Sequence, residues 1–198
     1  MERPDVRQGV FVDTLWPSAA ASRIRECILV LAGSLLVALS AQLQIPLTPV
    51  PITAQTFTVL LLAALYGGKR GAATIAAYLA LGLVGLPVFA GGTAGLARLL
   101  GPTGGYLLGY IPAAFVVGWL SERGWDRRAA LTALSMLIGN VLIYLTGTAW
   151  LSRFVATESV WEAGVLPFLP GDALKIALAT VLLPVAWKVI AHLRSPEA

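Results

Sequence analysis

The sequence predicts an all-α integral membrane protein, a bundle of six transmembrane helices with both termini in the cytoplasm. Three observations predict it: an apolar composition, six separable apolar runs, and a one-sided distribution of Lys and Arg. Of the 198 residues 58% are hydrophobic and 12% charged, about half the roughly 25% charge of soluble domains. Mean hydropathy is +0.81. A soluble globule of this size leaves much of its surface in water and cannot hide so much apolar area. The same composition excludes a disordered chain.

A spanning helix needs roughly 20 mostly apolar residues. The runs are Cys27 to Leu43, Ala54 to Tyr66, Gly71 to Leu86, Gly104 to Leu120, Ala129 to Leu151 and Asp172 to Ile190. The second is short, since 13 residues rise only about 20 Å. It starts earlier, near Ile52, or it is partly re-entrant. Pro46, Pro49 and Pro51 separate the first two runs, Lys69 and Arg70 the next two. A glycine-rich stretch from Gly85 to Gly105 precedes the fourth run, a charged turn from Glu122 to Arg128 the fifth, and Arg153 to Gly171 the sixth.

With the N-terminus inside, eleven of the fourteen Lys and Arg fall on the inner side; only Arg98, Arg153 and Lys175 fall outside. The positive-inside rule therefore places both ends in the cytoplasm. Residues 1–22 read as a polar cytoplasmic arm without a signal-peptide pattern, and residues 23–194 as the membrane domain. One cysteine, Cys27, and one histidine, His192, leave no disulfide framework and no metal set. The net charge of +4 is scattered, so no basic stripe for nucleic acid is present. The expected partner surface is the lipid bilayer.

Charges beside spans are the first functional candidates in a membrane protein. Leu166-Pro-Phe-Leu-Pro-Gly-Asp172-Ala-Leu-Lys175 opens the sixth run. Asp172 and Lys175 share a face one turn apart. They present an acceptor and a donor to one ligand, or they merely cap the helix and snorkel. Between runs three and four lie Phe89, Gly92 and Arg98, then Thr103 as an N-cap and Tyr106. Free N–H groups at such a helix start suit an anion; the other reading is a plain loop before tight helix packing through Gly101, Gly105, Gly109 and Ala113. Thr53 and Gln55 can hydrogen-bond a neutral polar ligand, or Thr53 only caps. Asn140 and Tyr144 share a face of the fifth run near mid-depth, where a bare amide is costly; it serves a ligand or bonds a neighbouring helix.

Four segments, Val50-Pro-Ile-Thr-Ala-Gln-Thr-Phe57, Gly85-Leu-Pro-Val-Phe-Ala-Gly-Gly92, Leu100-Gly-Pro-Thr-Gly-Gly-Tyr-Leu107 and Leu169-Pro-Gly-Asp-Ala-Leu-Lys175, together resemble the BioY family over about Ile28 to Ile190. BioY proteins are biotin-specific S components of energy-coupling-factor (ECF) vitamin transporters. The resemblance implies capture of biotin on the outer side of the plasma membrane of a prokaryote. It also implies partnership with a membrane coupling (T) subunit and two ATP-binding cassette ATPases, and Asp172 and Lys175 in the ligand pocket. Biotin is then the transported ligand and no cofactor is needed. The chain has no P-loop, so an ATP-driven step belongs to partners. Ser34 and Ala38, four apart on the first run, stand where the family offers small residues for docking. The ureido ring, apolar sulfur ring and carboxylate of biotin fit the candidates: Asp172 for acceptors, Lys175 or Asn140 for a donor, Phe89, Tyr106 and Tyr144 for walls, Arg98, Lys175 or the fourth helix start for the tail. The alternatives are an S component or carrier for another vitamin and, with no acid–base set or nucleophile in evidence, an intramembrane enzyme.

Overall fold

The computed structural model describes residues 9–15 and 23–193. Helices occupy all six predicted places. They are α2 (Arg23–Gln42), α3 (Gln55–Tyr66), α4 (Gly68–Leu83), α6 (Gly104–Ser121), α7 (Ala129–Leu151) and α9 (Leu169–Leu193). Three five-residue helices join them: α1 (Phe11–Leu15), α5 (Leu96–Leu100) and α8 (Val160–Gly164). Arg23–Gln42, Gly104–Ser121, Ala129–Leu151 and the helical stretch Thr157–His192 are long and apolar enough to cross a membrane.

α3 does not begin near Ile52. Ile52–Thr53 is strand β2, paired antiparallel with β1 (Gln44–Ile45), and Ala54 donates its N–H to the Leu43 carbonyl. The proline-stiffened connection therefore folds into a small hairpin beside the end of α2. Such a short helix is tolerable where protein covers it, and α3 is so covered, against α2, α4, α6 and α9. The sixth helix starts at Leu169, with Pro170 in a first turn that needs no N–H donor there.

α6 is the centre of the bundle and packs on α3, α4 and α7. Its glycines allow this. A Cβ on Gly105 would lie 2.3 Å from Trp150 Cβ, and one on Gly109 would lie 1.9 Å from Thr146 Oγ1. The predicted small-residue spacing is thus the α6–α7 contact. Ser34 and Ala38 are not a free docking face. Both are buried, and the Ser34 hydroxyl donates to the Thr74 carbonyl of α4 at 2.9 Å. The exposed face of α2 is instead large and apolar: Ile28, Leu31, Leu35 and Leu39.

Part of the expected polar arm is packed. Val10 and Thr14 of the α1 region are buried, and the Phe11 ring meets Trp187 of α9 edge-on at 5.4 Å. Asp13 pairs with Arg25 at 2.7 Å and Arg70 at 3.2 Å, and Arg70 pairs with Glu26 at 2.7 Å. Arg127 donates to the Gly9 carbonyl at 3.0 Å. Residues 1–8 and 16–22 of the arm lie outside the described residues.

Candidate functional site

The candidate residues converge at the end of the bundle opposite α1. Asp172 sits in the first turn of α9 and is 5% exposed. Lys175 lies one turn on, so both side chains reach the gap between α9, α3 and the hairpin. The Lys175 ammonium donates to the Thr53 carbonyl at 2.9 Å, Thr56 Oγ1 at 2.8 Å and Asp172 Oδ1 at 3.2 Å. An ammonium has three donors, and here all three are taken. The Thr56 hydroxyl in turn reaches Asp172 Oδ1 at 3.5 Å. On the other side the Tyr144 hydroxyl donates to Asp172 Oδ2. Asp172 is neutralised and oriented, yet a carboxylate offers about four lone-pair sites, so acceptor capacity remains.

Asn140, one turn before Tyr144 on α7, is buried against the same gap. Its amide has no hydrogen bond among the described residues. It lines the chamber with amide donor and acceptor capacity not used among the described residues. Phe168 closes the chamber, its ring 6.4 Å from Tyr144 and 6.3 Å from Tyr106.

A second chamber adjoins the first and shares Thr53, Tyr106 and Tyr110 with it. Phe89 forms one wall. Its ring lies over Gly82, where a Cβ would approach it to 2.1 Å, and meets Tyr78 edge-on at 5.6 Å. Arg98 of α5 lines this chamber half-buried and makes no ion pair among the described residues. A cation facing a cavity without a carboxylate suits an acidic group. The chambers measure about 30 and 40 Å³, each room for a few waters.

Some predicted residues do different work. Gln55 lines the Arg98 chamber, but its amide donates to the Tyr78 hydroxyl at 2.7 Å, and Tyr78 passes a bond to the Val88 carbonyl at 3.3 Å. The Tyr106 hydroxyl is spent on the Gly164 carbonyl at 2.8 Å, leaving its ring as wall. Gly92 lines neither chamber. It is exposed, and its N–H goes to Gln42 Oε1 at 3.0 Å. Thr103 makes no N-cap bond; its hydroxyl reaches back to the Arg98 carbonyl at 3.5 Å. Sequence reasoning missed Thr56, Tyr110 and Phe168. Tyr110 follows Tyr106 by four residues, a spacing that shares a helical face; Thr56 opens α3 just after Thr53, and Phe168 stands inside the Pro-rich run before Asp172.

The fold defines a helical membrane protein with two small polar chambers near one end. Comparison with known proteins makes the identity narrower. Residues 14–192 match the BioY family. The chain is 38% identical over 160 residues to a probable biotin transporter BioY of Pyrococcus horikoshii, covering 81% of this chain and 94% of that one. It is 39% identical over 148 residues to the biotin transporter BioY of Thermotoga maritima, covering 74% and 86%. Among solved structures it resembles the S component for biotin from an ECF-type ABC transporter, with a TM-score of 0.70 and 27% identity over 84% of this chain and 91% of that chain. The chain belongs to the BioY family.

Proposed function

We propose that this chain captures biotin and serves biotin uptake as the S component of an ECF-type transporter. It is a transporter component and not an enzyme, and it needs no cofactor of its own. The observation that carries the reading is the pairing of two unlike chambers. One offers Asp172 acceptors and a free Asn140 amide. The other offers Arg98, which makes no ion pair among the described residues. Biotin needs this set: two ureido N–H donors and a ureido carbonyl at one end, a carboxylate at the other. In our reading Asp172 receives a ureido N–H and Asn140 donates to the ureido carbonyl. Lys175 holds Asp172, Thr53 and Thr56 in register, because its own donors are engaged. Phe89, Tyr106, Tyr144 and Phe168 flank the sulfur ring, and Arg98 takes the tail. Thr53 and Gln55 position the walls.

The Lys and Arg asymmetry supports six spans with both termini cytoplasmic, in the plasma membrane of a prokaryote. Residues 1–22 are then a cytoplasmic arm, partly folded back as α1, and residues 23–194 the membrane domain. The site then opens toward the outer side. With no P-loop in the chain, the drive comes from a coupling subunit and two ATP-binding cassette ATPases. The test is thermal stabilisation of detergent-purified protein by biotin, with thiamine and riboflavin as comparators. Biotin should raise the melting temperature and the other two should not. Stabilisation by thiamine or riboflavin instead would assign another vitamin.

A further inference from the structure

The two chambers are much smaller than the roughly 300–1,000 Å³ of sites that hold small molecules. Entry therefore requires the coverings at this end to part. There are two. One is the hairpin from Gln44 to Thr53, whose far strand supplies the carbonyl that takes Lys175. The other is the turn from Phe89 to Gly92, which places the Phe89 wall and leads on to Arg98. Each is bound inward by its own contacts: the hairpin by Lys175, the turn by the Gln55–Tyr78–Val88 relay.

The turn is also bound to a post at the foot of the hairpin. Gln42 is the last residue of α2, two positions before β1. Its Nε2 donates to the Phe89 carbonyl at 3.2 Å, its Oε1 accepts from the Gly92 N–H at 3.0 Å, and its Nε2 also reaches the Ala38 carbonyl of its own helix at 3.2 Å. One amide side chain thus holds both ends of the Phe89–Gly92 turn. Gly91 and Gly92 adopt φ of +72° and +68°, values that favour glycine and aim the Gly92 N–H at Gln42. A Cβ on Gly91 would lie 3.1 Å from Gln44 Nε2, so the turn also lies against the hairpin's first strand. Gln42 itself is exposed and lines neither chamber.

We infer that Gln42 is a positioning residue that clasps the Phe89–Gly92 turn to the end of α2 beside the hairpin, and so sets how fast the ligand enters and leaves. It touches no ligand. Its two bonds to the turn must break, or move as one body, when the coverings separate. The inference rests on the biotin reading above.

The test is rapid-mixing kinetics of biotin with the detergent-solubilised full chain, following association and dissociation separately in the parent, Gln42→Ala and Gln42→Glu. The parent's own binding is the control for the underlying reading: no biotin binding by the parent refutes that reading and leaves no gate to test. If the parent binds, Gln42→Ala should raise both rate constants about tenfold, the scale of two lost neutral hydrogen bonds. The dissociation constant should stay within about threefold. Gln42→Glu keeps the acceptor for Gly92 and loses the donor to Phe89, so it should fall between. Because Gln42 is exposed, both variants should keep the parent melting temperature within a few degrees. Unchanged rates in either variant overturn the inference. A rise in dissociation alone, with affinity falling in proportion, also overturns it, since that marks a contact to bound ligand. A lowered melting temperature with parental rates assigns Gln42 to stability alone and overturns it too.

Discussion

The two ends of the bundle both gather charge, and they do so differently. At the α1 end Asp13 and Glu26 face Arg25 and Arg70, carboxylate against guanidinium, and Arg70 makes bonds to both acids and to the Tyr66 carbonyl. At the site end one carboxylate, Asp172, faces one ammonium, Lys175. Nearby stand an amide and a guanidinium that the chain does not complete: Asn140 without a hydrogen bond and Arg98 without an ion pair among the described residues. Polar groups that satisfy one another build structure. Asn140 and Arg98 instead line chambers, where their hydrogen-bonding capacity is open to a ligand.

The largest effect expected from this comparison is at Asp172. Removing one member of a buried pair leaves the other uncompensated, at about 3–5 kcal/mol. Asp172→Asn and Lys175→Met should each weaken biotin binding at least about 100-fold. Since Lys175 acts through Asp172, the double variant should bind no worse than about tenfold below the worse single one. Additive losses in calorimetric titration would instead give Lys175 its own bond to the ligand.

The α1 end is not fully self-sufficient: Ser121 Oγ, Arg127 Nε and one Asp126 oxygen are buried without a hydrogen-bond partner among the described residues. Asp126, between α6 and α7, is 1% exposed; one carboxylate oxygen accepts from Trp187 Nε1 at 2.5 Å and the other has no partner. Burial pushes this carboxyl up to about 6, against the Trp187 bond that pulls it down. The folded state then holds the proton more tightly than the unfolded chain. The cost of the buried charge is present in full above about pH 6 and fades as pH falls toward about 4. Asp126→Asn keeps an acceptor for Trp187 and removes the charge. It should stabilise the protein at pH 7.5, by roughly 3 kcal/mol at most, and lose about half of that advantage by pH 5. Melting temperatures at the two pH values check the sign.

Arg98 comes next. Arg98→Met removes a charge-assisted bond to the ligand, worth about 1.5–3 kcal/mol. It should weaken biotin about 10- to 100-fold and leave biotin amide, which lacks the charged tail, within about threefold. Equal losses for both ligands would remove Arg98 from the tail. The smallest effect on binding belongs to Asp13. Its side chain is 41% accessible but those of its partners Arg25 and Arg70 are 8% and 14%, so Asp13→Asn should cost about 1–3 kcal/mol of stability and leave biotin affinity within twofold.

The helices were legible because their signal is long and redundant. Each apolar run stays apolar over many residues, and α2, α6, α7 and α9 fall within a few residues of the expected bounds. The hairpin was not, because Gln44–Ile45 and Ile52–Thr53 are two residues each and read as loop flanks of an apolar run. Asp172, Lys175, Asn140 and Tyr144 were legible as polar residues in apolar surroundings. Their division of labour was not. Nothing in the spacing says that the Lys175 donors end on Thr53, Thr56 and Asp172, that the Gln55 amide ends on Tyr78, or that the Gly92 N–H ends on Gln42 rather than facing a ligand. Those are facts of how distant segments meet. The same holds for Ser34 and Ala38: small residues four apart mark a close helix contact, and only packing reveals that the partner is α4 of the same chain.

The claim that the polar groups lining the chambers at one end make the site, while the ion pairs at the α1 end make structure, is tested most directly by calorimetric titration of biotin into three detergent-purified proteins side by side. These are the parent, Asp172→Asn and Asp13→Asn. The account predicts one biotin per parent chain, the same stoichiometry and an affinity within twofold for Asp13→Asn, and an affinity at least about 100-fold weaker for Asp172→Asn. Parental binding by folded Asp172→Asn, or an equal loss in both variants, would contradict it.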